Sequence, residues 1–316
     1  MSATTLVEQK AFFEREGYLI LPGFFPSDSV DHFQGVIEHV KKLRPFDAVL
    51  DDLENGERTV LGLMTPEQVA RHRIKLYDLH LRVFPIRALA LAEPIVPLLA
   101  ALLSHLPAIC HSLYLGKGSA QPLHVDALYM TPSTPLHLIA AWVAMEDTHP
   151  DAGPLEYVPC SHLLPQHRFS DGSFHAIESE MEGWSEAMHG AVARAGLKTS
   201  RFLAKKGDVF IWHAHLLHGG GPILDASRSR KSYVFHYFSE EDARAGGSTL
   251  VPLSGAFWID RPPQALPAAT LVRLPFDEVA YLARYQDVAT AVANGSFPDG
   301  RAHYEVFGRN EGRLPF

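Results

Sequence analysis

Strand-forming patterns dominate the chain from Ala108 to Phe238. Short runs of apolar, β-branched and aromatic residues alternate there with turns rich in glycine and proline, which is typical of strands joined by turns. Helical patterns lie mainly before this segment, at residues 27–43, after Thr65 and at residues 94–106. Helices flanking two sheets of antiparallel strands predict an α+β protein built on a jelly roll, also called a double-stranded β-helix.

Within this segment, His124-Val125-Asp126 has the spacing of two metal ligands on one strand. Side chains alternate along a strand, so His124 and Asp126 point to the same side and can bind one ion. With a histidine from a distant strand they would form the 2-His-1-carboxylate set of non-heme Fe(II) oxygenases, which leaves coordination positions open. A second copy, His149-Pro150-Asp151, lies in a run typical of a turn, and its proline removes a donor from a strand ladder, so we favour the first copy.

Three histidines in the next strand pattern are candidates for the third ligand: His213, His215 and His218. His213 and His215 share a strand face with Ile211, and a histidine among apolar neighbours is commonly a buried structural residue. His218 stands where the apolar run ends and three glycines begin. Glycine permits the close backbone approach that a metal site at a strand end requires, so we favour His218 over His215.

Arg230 opens a strand pattern that extends to Phe238. Alternation places Arg230 on the same face as Ser232, Val234 and His236. If that face is the barrel interior, the guanidinium would be buried without reason unless a carboxylate meets it. Its planar fork of donors suits the distal carboxylate of 2-oxoglutarate, so we predict this role for Arg230, with Arg228 as the alternative.

These motifs resemble the phytanoyl-CoA dioxygenase family of Fe(II)- and 2-oxoglutarate-dependent oxygenases. The resemblance covers about residues 12–238 and rests on five motifs in order: residues 13–25, Gln121–Asp126 with Tyr129, Trp142 within 141–147, Gly153–His162, and Gly207–His218 with Arg230. It implies a cupin-like barrel in which His124, Asp126 and His218 are the catalytic metal ligands. It also implies Fe(II), 2-oxoglutarate and O₂ as cofactors, with Arg230 salt-bridged to 2-oxoglutarate and Trp142 beside it.

Three positions depart from the family's pattern. Members often carry serine or threonine two residues after the distal histidine as a further 2-oxoglutarate ligand, where this chain has Gly220; Tyr114 or Tyr129 could supply that hydrogen bond. A glycine is usual where this chain has Cys160. In some members an upstream lysine helps to hold the co-substrate, and Lys75 resembles that residue only loosely.

The resemblance implies hydroxylation of a C–H bond in a small organic substrate, with decarboxylation of 2-oxoglutarate to succinate. Asp126 bears on the outcome, because halogenating relatives lack the carboxylate and free a position for chloride. Two other functions stay open: a zinc-dependent hydrolase or lyase with the same ligands, and a catalytically inactive binding protein. Tyr129, Trp212 and His213 are candidates for the substrate pocket.

Charge and composition argue against several partners. The formal net charge is -8 and no stretch is dense in lysine or arginine, so we expect neither a nucleic-acid nor an anionic-membrane partner. Two cysteines do not form a disulfide framework. The N-terminus lacks the pattern of a signal peptide, and no apolar run is long enough to span a membrane. We expect a cytoplasmic protein.

Composition also suggests how the chain is organised. We predict an oxygenase domain at residues 1–262, a linker at 263–273 and a small helical module at 274–316, which has asparagine-glycine and phenylalanine-glycine stops. The module resembles one appended to assorted bacterial enzymes, and we expect it to serve protein docking or homo-oligomerisation. The insert at 163–198 is interpreted either as a lid over the barrel mouth or as a surface excursion.

Overall fold

The computed structural model describes residues 3–316, which contain eleven α-helices and thirteen strands. The strands are β1 Tyr18–Leu21, β2 Val49–Asp52, β3 Glu57–Val60, β4 Ile74–Tyr77, β5 Pro107–Leu115, β6 Leu138–Ala144, β7 Leu155–Tyr157, β8 Ser200–Phe202, β9 Val209–His213, β10 His218–Gly220, β11 Ser232–Ser239, β12 Thr249–Leu253 and β13 Ala256–Asp260. The helices are α1 Ala3–Glu16, α2 Ser27–Leu43, α3 Pro66–Arg71, α4 Phe84–Ala90, α5 Val96–Leu103, α6 Met181–Arg194, α7 Glu240–Ala245, α8 Ala268–Leu271, α9 Glu278–Arg284, α10 Gln286–Ala293 and α11 Gly300–His303.

The chain divides into two compact units. The first contains residues up to Ile37 together with Asp78–Pro262, and the second contains Glu38–Tyr77 together with Pro263–Phe316. The break after Pro262 coincides with the predicted domain boundary, but residues 38–77 group with the C-terminal residues rather than with the predicted oxygenase domain. One contact of this grouping is a hydrogen bond from the Thr270 hydroxyl to the Arg58 carbonyl, at 2.8 Å. The predicted domain organisation itself stays a prediction.

Two antiparallel sheets form the centre of the first unit. In the larger sheet the strand order is β1-β9-β6-β11-β5, and every neighbouring pair is antiparallel. The β12–β13 hairpin extends this sheet through a parallel contact of β13 with β5. The smaller sheet has the order β10-β7-β8. Two antiparallel sheets with flanking helices agree with the predicted α+β class.

A hydrophobic core fills the space between these sheets. Its members come from both sheets and include Trp142, Phe210 and Val234 from the larger sheet and Tyr157 and Phe202 from the smaller one. Fully burying one large apolar side chain stabilises a fold by roughly 1.5–3 kcal/mol, so this cluster is a major source of stability. The same inward face carries polar residues at one end, and these form the candidate site.

The second unit has a hairpin and a small helical core. Strands β2, β3 and β4 are antiparallel, with β2 paired to both of the others. Helices α8–α11 follow Pro263, and Tyr281, Val288 and Tyr304 are buried together among them. Phe307, by contrast, is 47% exposed. Across residues 3–316, no helix combines the length and apolar character needed to cross a membrane.

Candidate metal and co-substrate site

Backbone pairing brings the first two histidines of the site together. His124 and His218 form an antiparallel bridge in which each backbone N–H donates to the other residue's carbonyl, at 2.9 and 3.0 Å. His218 begins β10, so the segment before His124 acts as a further neighbour of the smaller sheet. Two residues paired in this way lie on the same face, and their rings are 4.5 Å apart between centroids. Strand register therefore places both imidazoles at one point.

Asp126 reaches the same point by a route that differs from the prediction. His124 and Asp126 do not share a regular strand, because Asp126 begins a 3₁₀ turn that ends at Leu128. Val125 between them is extended, with φ -121° and ψ 144°, and this single residue preserves the alternation. The Oδ1 of Asp126 lies 3.6 Å from the Nε2 of His218.

The three side chains offer one ligand atom each, and these atoms all lie within 4.8 Å of one another. The Nδ1 of His124 is 2.9 Å from the Pro122 carbonyl, and the Nδ1 of His218 is 3.0 Å from the Leu216 carbonyl. A carbonyl only accepts, so each Nδ1 must carry the proton and each Nε2 has the lone pair that a metal needs. The Gln121 amide nitrogen lies 3.3 Å from the Nε2 of His124 and donates to that lone pair in this structure. Burial also lowers the pKa of His218, which favours the neutral, ligating form.

The carboxylate of Asp126 is held from behind by two residues. The indole N–H of Trp212 donates to Oδ2 at 2.6 Å, and the Nε2 of His236 lies 3.3 Å from the same oxygen. Burial alone would raise the pKa of Asp126, but His236, which lies against Oδ2, outweighs it and holds the pKa well below its usual range. The carboxylate therefore stays ionised, with Oδ1 directed towards His218.

The alternative ligands lie elsewhere. The Nδ1 of His213 accepts from the backbone N–H of His215 at 3.0 Å, and burial lowers the pKa of His213 to about 3. The His149 and Asp151 side chains are partly exposed in a loop, where the Nδ1 of His149 lies 3.7 Å from the Asp151 carboxylate and accepts from the Asp151 backbone N–H at 3.2 Å. Within the described residues, neither His213 nor the His149–Asp151 pair belongs to a cluster of three potential metal ligands.

Arg230 is buried without an anionic partner. Only 2% of Arg230 is exposed to solvent, and no carboxylate among residues 5–316 lies within ion-pair distance of its guanidinium. Its Nε has no hydrogen-bond partner among these residues. Burial lowers the pKa of Arg230 to about 10. The guanidinium carbon lies 5.7 Å from the centroid of the Trp142 ring, which is the neighbour predicted for the co-substrate.

Arg228, the alternative to Arg230, is a surface residue. Its guanidinium pairs with Asp225 at 2.9 Å, and 43% of its side chain is exposed. It already has a carboxylate partner in its own turn, so of the two arginines Arg230 is the one that is buried without an ion-pair partner among residues 5–316.

A model of the phytanoyl-CoA dioxygenase family matches residues 13–232. The chain belongs to this family. The peroxisomal phytanoyl-CoA dioxygenase of Rattus norvegicus is 25% identical over 250 residues, which cover 74% of this chain and 69% of the rat protein. The family membership confirms the predicted enzyme class, that of oxygenases that use Fe(II), 2-oxoglutarate and O₂.

Solved structures share the fold at low sequence identity. The non-heme alpha-ketoglutarate-dependent epimerase SnoN from nogalamycin biosynthesis aligns with a TM-score of 0.56 and 18% identity, over 82% of this chain and 100% of SnoN. EctD from S. alaskensis, solved with 2-oxoglutarate and 5-hydroxyectoine, aligns with a TM-score of 0.54 and 18% identity over 77% of each chain. These alignments confirm the predicted jelly-roll class.

The resemblance leads to an expected serine or threonine at position 220, but this chain has glycine there, and the reason is steric. Gly220 lies two residues after His218 on β10, so a side chain there would point to the face that carries the His218 imidazole. A Cβ at Gly220 would lie 2.8 Å from the backbone nitrogen of Ala120 and would also overlap the Ser119 hydroxyl. The segment before His124 approaches β10 so closely that only glycine fits.

The departure at Cys160 has a conformational cost. Cys160 adopts a left-handed conformation, with φ 63° and ψ 0°, at the start of a 3₁₀ turn. Glycine adopts this conformation freely, whereas a residue with a Cβ is strained there by roughly 1–2 kcal/mol. The backbone at this position therefore favours glycine.

Three further predicted residues have different surroundings. Tyr129 is 50% exposed, and its ring lies 5.9 Å from that of His124. Tyr114 is fully buried. Lys75 lies on β4 in the second unit, with its ammonium 5.5 Å from the ring centroid of Tyr77. The co-substrate roles of all three stay predictions.

The insert at 163–198 packs against the segment that carries Asp126. Trp184 and Met188 of α6 are buried in one cluster with two neighbours of Asp126. These are Val125, which precedes Asp126, and Leu128, which ends its turn. The backbone N–H of Ala176 donates to the Leu128 carbonyl at 2.9 Å. The insert is thus docked beside the site by apolar contacts and a hydrogen bond.

Two residues of this site had only weak signals in the sequence. Trp212 is recognisable there only as a candidate for the pocket, and His236 only as a member of the Arg230 face. Strand alternation could place both side chains inward, but their contact with Asp126 depends on the register between β9, β6 and β11. The partner of a buried side chain is therefore a long-range property.

Proposed function

We propose that this chain is an Fe(II)- and 2-oxoglutarate-dependent dioxygenase that hydroxylates a C–H bond of a small organic substrate. The observation that carries the proposal is the buried guanidinium of Arg230. Burying a charge without a counter-charge is costly, and proteins keep such groups when a ligand supplies the opposite charge. The distal carboxylate of 2-oxoglutarate is the ligand that fits this fork of donors.

The metal would be held by His124, Asp126 and His218. Two neutral imidazole nitrogens and one carboxylate oxygen are the donor set of non-heme Fe(II) oxygenases. When bound, iron and 2-oxoglutarate couple decarboxylation of the keto acid to succinate with oxidation of the substrate by O₂. These ligand assignments are supported by the convergence of the three side chains and by the two backbone carbonyls that orient the imidazoles.

The other residues of the chain position groups and exclude water. Trp212 and His236 restrain Asp126, so that its Oδ1 stays directed towards the metal position. Trp142 packs beside Arg230 and belongs to the core between the sheets. A dry environment strengthens the attraction between the guanidinium and a bound carboxylate.

Hydroxylation is the outcome that the retained carboxylate supports, because Asp126 leaves no additional position for a halide. Relatives with this fold are described as an epimerase and a carbocyclase, so the product must be measured as well as the turnover. A metabolite extract incubated with enzyme, Fe(II) and 2-oxoglutarate should give a product that has gained one oxygen atom. A product isomeric with its substrate, or one that has lost two hydrogens, would contradict hydroxylation.

Succinate formation tests the metal assignment. We expect O₂-dependent succinate from 2-oxoglutarate with Fe(II), and we expect Asp126→Ala to abolish it. Asp151→Ala is the matched control, because that aspartate belongs to the partly exposed His149-Pro150-Asp151 copy. Equal turnover by Asp126→Ala and the wild type would refute the assignment.

A thermal test separates this proposal from a zinc hydrolase with the same ligands. We expect 2-oxoglutarate to raise the melting temperature only when a divalent metal is also present, because the keto acid binds through the metal and Arg230 together. The cytoplasmic location and the docking or oligomerisation role of residues 274–316 stay proposals beside this function.

A further inference from the structure

Strand order brings the ends of three neighbouring strands together at one edge of the larger sheet. Strand β11 lies between β5 and β6 and is antiparallel to both. Its C-terminal end pairs with their N-terminal ends, with Ser239 opposite Pro107 and Phe238 opposite Leu138. Residues just before β5, just before β6 and just after β11 must therefore lie close together.

The three residues at these places are metal-ligating types. His105 precedes β5, His137 directly precedes β6, and Glu241 lies in the first turn of α7, which follows β11. Their potential ligand atoms all lie within 4.8 Å of one another. The Nε2 of His105 is 3.1 Å from a Glu241 carboxylate oxygen, and the two imidazole rings are 4.7 Å apart between centroids.

A fourth residue, Asp242, orients His137 as an outer carboxylate orients a metal-binding histidine. Asp242 is largely buried, and its Oδ1 is 2.9 Å from the Nδ1 of His137. Its Oδ2 accepts the backbone N–H groups of Ser133 and Thr134, at 2.6 and 3.2 Å. An acceptor at Nδ1 leaves the lone pair of His137 on Nε2, and Nδ1 also lies 3.9 Å from the Glu241 carboxylate. This carboxylate–histidine pairing is the usual support of a metal-ligating imidazole.

We propose that His105, His137 and Glu241 form a second divalent-metal site, which takes Zn²⁺. Two imidazoles and one carboxylate supply three ligands of a tetrahedral zinc site, and water supplies the fourth. Solvent can reach the position, since the His105 and Glu241 side chains are 33% and 61% exposed. The cluster shares no residue with the candidate iron site, so it goes beyond the proposed function and does not depend on it.

A metal at this position has a structural consequence. It joins the ends of β5, β6 and β11, which are the central strands around Arg230 and His236. Binding to the folded state alone stabilises it in proportion to the logarithm of the metal concentration. The site therefore acts as a clip on the sheet rather than as a second catalytic centre.

Zinc titration of a variant without the iron ligands tests the proposal. Asp126→Ala/His218→Ala protein, stripped of metal, is titrated with Zn²⁺ by calorimetry. We expect one Zn²⁺ per chain with a dissociation constant on the order of micromolar or lower. At a free Zn²⁺ concentration of roughly 100 times that constant, the melting temperature should rise by about 5 °C or more.

Added substitutions locate the binding. In the same background, His105→Ala and Glu241→Gln should each weaken Zn²⁺ binding by at least about tenfold, as loss of a ligand requires. His149→Ala is the matched control, because His149 is a partly exposed histidine next to a carboxylate outside the cluster. It should leave the affinity unchanged.

Two results would overturn the second site. One is the absence of saturable Zn²⁺ binding in the Asp126→Ala/His218→Ala protein. The other is binding that Glu241→Gln leaves at full strength, since this mostly exposed side chain can be changed without endangering the fold. Activity is not a readout here, so failure of the proposed oxygenase function would leave the result interpretable.

Discussion

Replacing Arg230 by methionine should change stability and co-substrate affinity in opposite directions. Burial lowers the pKa of Arg230 to about 10, against about 12.5 for an ordinary arginine. At 1.36 kcal/mol per pH unit, the buried charge costs the ligand-free protein about 3 kcal/mol. Methionine has a side chain of similar length and no charge, but it loses the cation–π contact with Trp142, which is worth roughly 0.5–2 kcal/mol. We expect a net gain of about 1–2 kcal/mol in the free energy of unfolding.

The pH dependence of this gain follows from the sign of the pKa change. The folded state binds the proton less tightly than the unfolded state, so the charged form opposes folding. The cost is fully present at neutral pH and declines only above the folded pKa of about 10. The stability difference between the variant and the wild type should therefore be constant from pH 7 to about 9.

Affinity for 2-oxoglutarate should fall sharply in the same variant. A hydrogen bond to a charged group contributes about 1.5–3 kcal/mol, and a guanidinium can make two such bonds to one carboxylate. Losing them should cost at least about 3 kcal/mol, which is roughly a hundredfold increase in the dissociation constant. Arg230→Lys should recover only part of the affinity, because an ammonium lacks the two-pronged geometry.

Two measurements and one matched variant test this reasoning. Urea unfolding of the metal-free protein gives the stability, and anaerobic calorimetry of the Fe(II) form gives the 2-oxoglutarate affinity. Arg228→Met is the control, since Arg228 is 43% exposed and paired with Asp225; it should change stability by less than about 0.5 kcal/mol and leave the affinity unaltered. An Arg230→Met protein with wild-type affinity, or one destabilised by several kcal/mol, would show that Arg230 is a structural residue.

Three further predictions address other parts of the chain. Trp212→Phe keeps an aromatic side chain but loses the 2.6 Å hydrogen bond from the indole N–H to Asp126. It should weaken metal binding by about 10–100-fold in a competition titration; unchanged metal affinity would show that Trp212 does not support the site. Cys160→Gly should raise the free energy of unfolding by about 1 kcal/mol by relieving the left-handed strain, whereas Cys160→Ala, which keeps that strain, should not; equal effects would exclude strain as the cause. Asp51→Asn breaks a carboxylate pair with Arg58 at 2.8 Å and should cost about 1–3 kcal/mol at pH 7. Although burial raises the pKa of Asp51, hydrogen bonds from Arg58 and Tyr77 lower it overall. This contribution is therefore fully present above the unfolded pKa of about 4 and is lost as the pH falls from there through the lower folded pKa; a difference in urea unfolding that does not decrease below pH 4 would contradict it.

Short-range patterns in the sequence were sufficient for the family, the fold class and the choice of the three side chains that converge at the candidate site. The His124-Val125-Asp126 spacing, the glycines after His218 and the strand that Arg230 opens are all local features. Alternation along a chain depends on backbone geometry over two or three residues, so it survives changes of detail. Asp126 illustrates this, because it begins a turn rather than continuing a strand and yet keeps the predicted direction through extended Val125.

Contacts between distant segments were decided only in three dimensions. The pairing of β11 with β5 and β6 brings Glu241 to His105 and His137, which both lie more than 100 residues earlier, and no local pattern marks the three as a set. The crowding at Gly220 depends in the same way on how closely the segment before His124 approaches β10. Register and close approach are settled by the packing of the whole core, and for this reason side-chain partners cannot be obtained from alternation alone.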